Sequence, residues 1–266
     1  MKLLADMDKE VNMHAQYVVW FKRDLRIDDH APLAQACAPQ AKVCALYIDE
    51  PQLWRQSDMS QRHRAATAVA LKRLDKDLRR IGLRLQIFHG PAHEALSYLL
   101  HSIGPFTLLS HMETGNWWSY ERDLCVAAWC KNHNISWIEH RQFGVVRGLK
   151  TRHVNWSKQW HQLMDNNIIE APKSGALIDI GLPSPSQNIA TATIPWPDPM
   201  GTLTSFVQTR GANYARSISS PKKAAHHSSR LSVHISLGTL SLRTIYQTIL
   251  RSPLHSREKK AVLARL

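Results

Sequence analysis

The chain has 266 residues, 44% of them hydrophobic, and a net charge of +13, enough apolar material for one large globular domain or one and a half ordinary ones. No apolar run approaches the roughly 20 residues that cross a bilayer. Four cysteines (Cys37, Cys44, Cys125, Cys130) form no CxxC pair and follow no secretory pattern, which excludes a disulfide framework and a zinc ribbon and points to a cytoplasmic protein without a metal site.

The charge is unevenly placed. Residues 201–266 hold eleven Lys or Arg and one acid, Glu258, a net +10, and the first 200 residues carry the remaining +3. A surface of that kind expects an anion, either a polyphosphate cofactor or a nucleic-acid backbone, with a plain basic tail as the alternative.

In chain order, residues 1–16 are polar and aperiodic and read as a leader. The apolar run at 17–21 predicts a buried parallel strand, and the charged cluster that follows (KRDLRIDDH) marks its carboxyl end, where open α/β sheets place ligands. A short helix is expected near 32–37 and a second strand at 43–48. Ser60 then caps a long helix in which Leu71, Leu74, Leu78 and Ile81 recur at helical spacing until Gly82 stops it. Strand three is expected at 83–88, a helix from Pro91 to Gly104, strand four at 106–109, a helix at 117–132 and strand five at 135–138. Five strands joined by helices predict a doubly wound parallel α/β sheet over 17–140. Residues 141–200 read as a connecting helix near 156–164 and a Pro-rich linker over the surface, with the domain boundary there and helical patterning from about 201 onward.

Neither a G-x-G-x-x-G after strand one nor a G-x-x-x-x-G-K-[ST] is present, so the sheet is neither an NAD domain nor an NTPase by motif. The stretch after strand four, SHMETGNWWSY, places Glu113 and Asn116 beside two indoles, a candidate lining for a flat aromatic ligand or an ordinary helix-start loop. His111 reads as a loop residue. Further on, Ser228, Ser229 and Ser232 precede and open a helical run, with Gly238, Leu240 and Ser241 beyond it, which reads either as an anion site or as simple capping.

Two of these strings resemble one family. The segment Trp20-Phe21-Lys22-Arg23-Asp24-Leu25-Arg26, followed by Asp28 and Leu33, is similar to the W-F-[RK]-x-D-L-R-x-x-D-x-x-x-L opening of photolyases and cryptochromes. Ser228, Ser229, Leu231, Ser232, Gly238, Leu240 and Ser241 resemble that family's T-S-x-L-S-P-Y-[LI]-x-x-G-x-[LI]-S signature for the FAD diphosphate. Ser stands at the Thr position, and Val233-His234 replaces Pro-Tyr. Tyr214 stands where the family has a phosphate-contacting tyrosine.

The resemblance implies an N-terminal antenna domain followed by the incomplete start of an all-α FAD-binding domain. It implies FAD held through Tyr214, Ser228, Ser229, Leu231 and Ser232, and a folate- or deazaflavin-type antenna chromophore beside Glu113 and Asn116. Ultraviolet-damaged DNA would meet Arg210, Arg216, Lys222, Lys223 and Arg230. The implied activity is that of a deoxyribodipyrimidine photo-lyase, a monomer in which reduced FAD passes an electron to a cyclobutane pyrimidine dimer. The family's catalytic and electron-transfer residues are expected beyond Leu266, so no catalytic residue is assigned and this length of chain is expected to be inactive. A cryptochrome photoreceptor and a nucleotide-binding or electron-transfer module without light chemistry are the alternatives.

Overall fold

The first apolar run forms β1 (Gln16–Phe21), whose Val18, Val19, Trp20 and Phe21 are buried on both faces, as the central strand of a parallel sheet requires. The computed structural model describes residues 15–145, 147, 156–185 and 197–266. Strands β2 (Lys42–Asp49) and β3 (Leu85–His89) lie on one side of β1, with β4 (Thr107–His111) and β5 (Ser136–His140) on the other. The order is β3-β2-β1-β4-β5 and all pairings are parallel. The winding reverses between β1 and β4, which opens a crevice at the carboxyl ends of the central strands.

Helices α1 (Ala31–Ala36) and α2 (Gln61–Arg80) cover one face, and Leu33, Leu71, Leu74 and Leu78 pack there on Val19 and Phe21. Helices α3 (Ala92–Ile103) and α4 (Trp117–Asn132) cover the other, with Leu96, Leu99 and Val126 against Val18 and Trp20. The punctuation read from the sequence operates as expected. Ser60 Oγ accepts from His63 N at the start of α2, and Gly82 and Gly104 leave their helices at φ 80° and 76°.

The Pro-rich stretch differs from a surface linker. After α5 (Trp156–Asp165), Ile169 exchanges hydrogen bonds with Asp29, and β6 (Ala176–Leu177) pairs with Lys42 and Val43 of β2. Ile178 enters the core, and the carbonyl of Pro183 accepts from Ile87 N on β3. The reason lies in the register. Strand β3 begins opposite Ala45, so the first residues of β2 would otherwise present unpaired backbone groups at an edge. Residues 1–14, 148–155 and 186–196, which include most of the expected leader, part of the basic Trp-rich stretch and Pro195, lie outside the described residues.

From 199 onward the described chain is helical: α6 (Pro199–Gln208), α7 (Tyr214–Ser217), α8 (Pro221–His227), α9 (Ser232–Leu237), α10 (Leu242–Arg251) and α11 (Ser256–Leu263). Leu203, Phe206, Tyr214, Leu231, Ile245 and Ile249 share their own core. This layer is tied to the sheet through the two motifs singled out in the sequence. Leu25 N donates to the Leu237 carbonyl at 3.1 Å, and Arg26 Nη1 donates to the Gly238 carbonyl at 2.9 Å. Gly238 ends α9 at φ 65°, and a Cβ there would lie 2.6 Å from Arg23 C and Asp24 Cα. Only glycine combines that left-handed conformation with so close a backbone approach.

Candidate functional site

The crevice at the carboxyl ends of β1 and β2 encloses about 420 Å³ between the sheet, the start of α2 and the exposed side of α9. Its apolar walls include Trp20, Tyr47, Trp54 and Leu237. Its polar lining comes from Glu50, Glu113, Arg122, Arg62 and His63 with Ser232 and Ser236. This is the composition of a pocket for a flat ligand with a few directed polar groups.

Beneath the crevice lies a buried ion network. Arg122 stacks 4.8 Å from the Trp20 ring and donates to Glu50 (3.0 Å), Glu113 (2.5 Å) and Asp123 (2.8 Å). Lys22 lies 3.3 Å from Asp123, and Arg147 pairs with Asp123 at 2.6 Å and with Glu139. Arg23 at the rim reaches Glu113 at 3.6 Å. Burial pushes the Arg122 guanidinium down, but its carboxylate partners, Glu113 first, outweigh that and hold it firmly protonated. Burial would likewise raise Asp123, yet Lys22 and Arg122 pull it below its ordinary value. Burial raises Glu50, which Arg122 only partly offsets. Four cations, Lys22, Arg23, Arg122 and Arg147, therefore hold four acids, Glu50, Glu113, Asp123 and Glu139, and a polar ligand group meets a wall whose charges are already fixed in place.

A second buried cluster sits where β1 turns. Asp24 is fully buried and accepts from Lys22 N (2.7 Å), His30 Nε2 (2.9 Å) and His111 Nδ1 (2.8 Å). His111 is thus the last residue of β4 and a core hydrogen-bond donor rather than a loop residue. Burial favours neutral Asp24, but the imidazoles oppose it and hold the carboxyl well below its usual range. Burial also lowers His30, and takes His111 to about 3. One carboxylate with two histidines is a metal-ligand set by residue type. The hydrogen bonds oppose that use: His30 Nδ1 accepts from Leu33 N at 3.1 Å, so the ring proton stays on Nε2 and no lone pair faces Asp24.

The sequence-derived residues are not all brought to one place. Glu113 and Ser232 both line the crevice. Asn116 does not line it: Asn116 caps α4 by accepting from Ser119 N and donates to Asp58 at 3.1 Å. Tyr214 and Leu231 pack in the helical core, Tyr214 edge-on to Phe206 at 5.5 Å. Ser228 and Ser229 are half-buried and held by Arg210, which donates to the carbonyls of Ser228 (2.5 Å), Thr202 (2.9 Å) and Ser229 (3.4 Å). Arg210 is therefore occupied as a backbone brace. Arg216, Lys222, Lys223 and Arg230 are exposed. The sequence reading did not assign Glu50, Trp54, Arg62 and His63 to the site, and of these Glu50, directly after an apolar strand, carried a local signal, as Lys22 did in the charged cluster after β1.

For FAD, the donor chemistry fits a diphosphate. Among the described residues the hydroxyls of Tyr214, Ser228 and Ser232 make no hydrogen bond, and Ser229 Oγ makes only a 3.4 Å contact from Leu231 N.

The model of the DNA photolyase family matches residues 17–150, about half of the chain. The chain belongs to the DNA photolyase family. Curated relatives in this family include a deoxyribodipyrimidine photo-lyase of Salmonella typhimurium, 42% identical over 74 residues, which cover 27% of this chain and 15% of that protein. Its Escherichia coli counterpart is 39% identical over 70 residues, 26% of this chain and 15% of that protein. Among solved structures, the class III photolyase of Agrobacterium tumefaciens superposes with a TM-score of 0.74 at 18% identity. The Synechocystis cryptochrome superposes at 0.72 and 16%. These alignments cover 97% and 94% of this chain and 59% of each solved chain, and they show the photolyase fold. The chain thus spans well under two thirds of the length of these relatives.

Proposed function

We propose that this photolyase-family chain serves as the antenna half, and the diphosphate-binding start of the FAD half, of a cytoplasmic deoxyribodipyrimidine photo-lyase. The observation that carries the reading is the contact between the two motifs: the D-L-R turn of Leu25 and Arg26 hydrogen-bonds the Leu237 and Gly238 carbonyls at the end of α9. The helix that carries Ser232 is thereby seated against the sheet.

In this reading Tyr214, Ser228, Ser229 and Ser232 hold the diphosphate of FAD by hydroxyl donation, with Leu231 packed in the core beneath them. FAD, when bound and reduced, would supply the electron that opens the cyclobutane ring of a flipped-out pyrimidine dimer and would recover it afterwards. The crevice beside Glu113 takes the antenna chromophore, of folate or deazaflavin type. Its aromatic walls give it stacking surface, and Arg62 and His63 at the start of α2 face any acidic substituent. Arg216, Lys222 and Lys223 are exposed and available to neutralise DNA phosphates; Arg230 is exposed too but donates to the Ala225 carbonyl at 2.8 Å, and Arg210 is held on backbone carbonyls. Asn116 acts on the crevice indirectly, by fixing the start of α4 and by donating to Asp58, which lines it.

The test is blue-light reversal of dimers in an ultraviolet-irradiated oligonucleotide by the complete protein, photoreduced and FAD-loaded, since the 266-residue chain alone is expected to be inactive. Light-dependent loss of dimers supports repair. The cryptochrome reading is favoured by the equally good superposition on the Synechocystis protein, and it replaces repair if irradiated DNA binds no better than undamaged DNA and no dimers are restored.

A further inference from the structure

Three oxidisable rings stand in the crevice wall, Trp20, Tyr47 and Trp54, and their surroundings differ. Trp20 has two buried cations over its ring, Lys22 Nζ at 4.7 Å and the Arg122 guanidinium at 4.8 Å. A cation attracted to the electrons of an indole repels the same ring once one electron has left it, so Trp20 is a poor electron donor. Tyr47 gives up its proton reluctantly. Burial first, then the acids Asp49, Glu50 and Glu113, push its hydroxyl well above the ordinary phenol value, and among the described residues that hydroxyl has no hydrogen-bond acceptor. Trp54 is arranged the other way. Its Nε1–H donates to Asp49 Oδ1 at 2.5 Å, while His89 Nδ1 (3.1 Å) and Arg64 (3.7 Å) take the other carboxylate oxygen. Oδ1 is therefore a charged proton acceptor already in contact with this indole. Among the described residues the cation over the Trp54 ring is Arg64, at 5.9 Å, and its side chain is 62% exposed, where solvent screens it.

We propose that Trp54 and Asp49 form a reversible electron- and proton-donor pair that quenches a photoexcited, oxidised aromatic ring held in the crevice; this rests on the reading that the crevice takes a flat chromophore. The excited ring draws one electron from the Trp54 indole. An indole that has lost an electron holds its N–H proton weakly, and the proton passes from Nε1 to Asp49 Oδ1 along the hydrogen bond already made. Trp54 is left as a neutral indolyl radical. Electron and proton then return by the same path, the N–H bond re-forms, and the excitation has been lost as heat. The cycle needs no oxidant or reductant besides the ring itself. The crevice thus has a silent wall at Trp20 and a quenching wall at Trp54, and the seat of the ring between them sets how much excitation is left to pass on.

FMN, an oxidised flat ring with a phosphate tail, is the probe. Equilibrium dialysis against the 266-residue chain tests the crevice, and time-resolved emission with transient absorption of the bound FMN tests the pair. The emission of bound FMN should decay well before that of free FMN, and the absorption of a neutral indolyl radical should rise as it decays. Trp54→Phe, which keeps a ring in the wall, should abolish the radical and return the lifetime towards that of free FMN. Asp49→Asn keeps an oxygen that accepts from Nε1 but takes no proton, so the indole radical cation should replace the neutral form at early times. Far-ultraviolet circular dichroism verifies the fold of both variants. Bound FMN with the lifetime of free FMN overturns the proposal, as does quenching that persists in Trp54→Phe or a neutral radical that forms unchanged in Asp49→Asn. FMN that does not bind removes the flat-chromophore reading of the crevice, and the proposal with it.

Discussion

Replacing Gly238 by alanine tests whether the sheet and the helical layer depend on the contact between the two motifs. The left-handed backbone costs an L-residue about 1 kcal/mol. The new Cβ would lie 2.6 Å from Arg23 C and Asp24 Cα, so the D-L-R turn must withdraw. Withdrawal lengthens the Leu25 to Leu237 bond, a loss of about 1 kcal/mol, and the Arg26 to Gly238 bond, a charged donor whose loss costs about 2 kcal/mol. The total is about 4 kcal/mol, a large share of a domain's net stability. Gly181→Ala is the control: its φ of 76° is similarly left-handed, and nothing lies within 4 Å of the added Cβ. That variant should lose about 1 kcal/mol, and the unfolded-state gain from replacing glycine is common to both. Urea denaturation followed by tryptophan fluorescence measures the two losses side by side. If Gly238→Ala costs no more than Gly181→Ala, the motifs are adjacent without holding the layers together.

Four further outcomes follow from the same geometry. Arg122→Met should destabilise by about 3–5 kcal/mol, because Glu50, Glu113 and Asp123 lose their shared partner, whereas Glu50→Gln should cost far less; thermal and urea midpoints decide. Stability should fall as pH drops below about 6.5, since unfolded His111 binds a proton that the folded state, with its value near 3, refuses. The slope is about 1.4 kcal/mol per pH unit for this group, and His111→Gln, which keeps an N–H donor for Asp24, should reduce it in pH-resolved denaturation. In the complete protein Ser229→Ala and Ser232→Ala should each weaken FAD by about 1 kcal/mol or more in equilibrium titration, with an unchanged double variant removing the diphosphate assignment, whereas the 266-residue chain alone should bind FAD weakly at best. Lys222→Ala with Lys223→Ala should lower the salt slope of DNA binding by about 2, at about 0.9 per phosphate contact.

Local pattern was enough for the α/β half. The strands at β1 and β2 are apolar runs that end in charge, α2 is marked by Ser60 and Gly82, and both signatures are set by neighbours in sequence. The motif strings also carried the family, because Trp20 to Arg26 and Ser228 to Ser241 are contiguous. What the tertiary structure decided are the contacts between residues far apart in the chain. Residues 176–183 complete the edge of β2 and β3 although the Pro-rich stretch they belong to reads as linker by its lack of period, since strand register is a property of the pair and not of either segment. Asn116 and Arg210 looked like ligand contacts by residue type, but their hydrogen bonds go to Ser119, Asp58 and backbone carbonyls. Arg122 and Asp123 sat in an unremarkable helix with almost no amphipathic pattern. Burial against Trp20 made them the floor of the crevice, and it left Trp117, Tyr120 and Leu124 facing outward, an orientation set by the sheet the helix packs on.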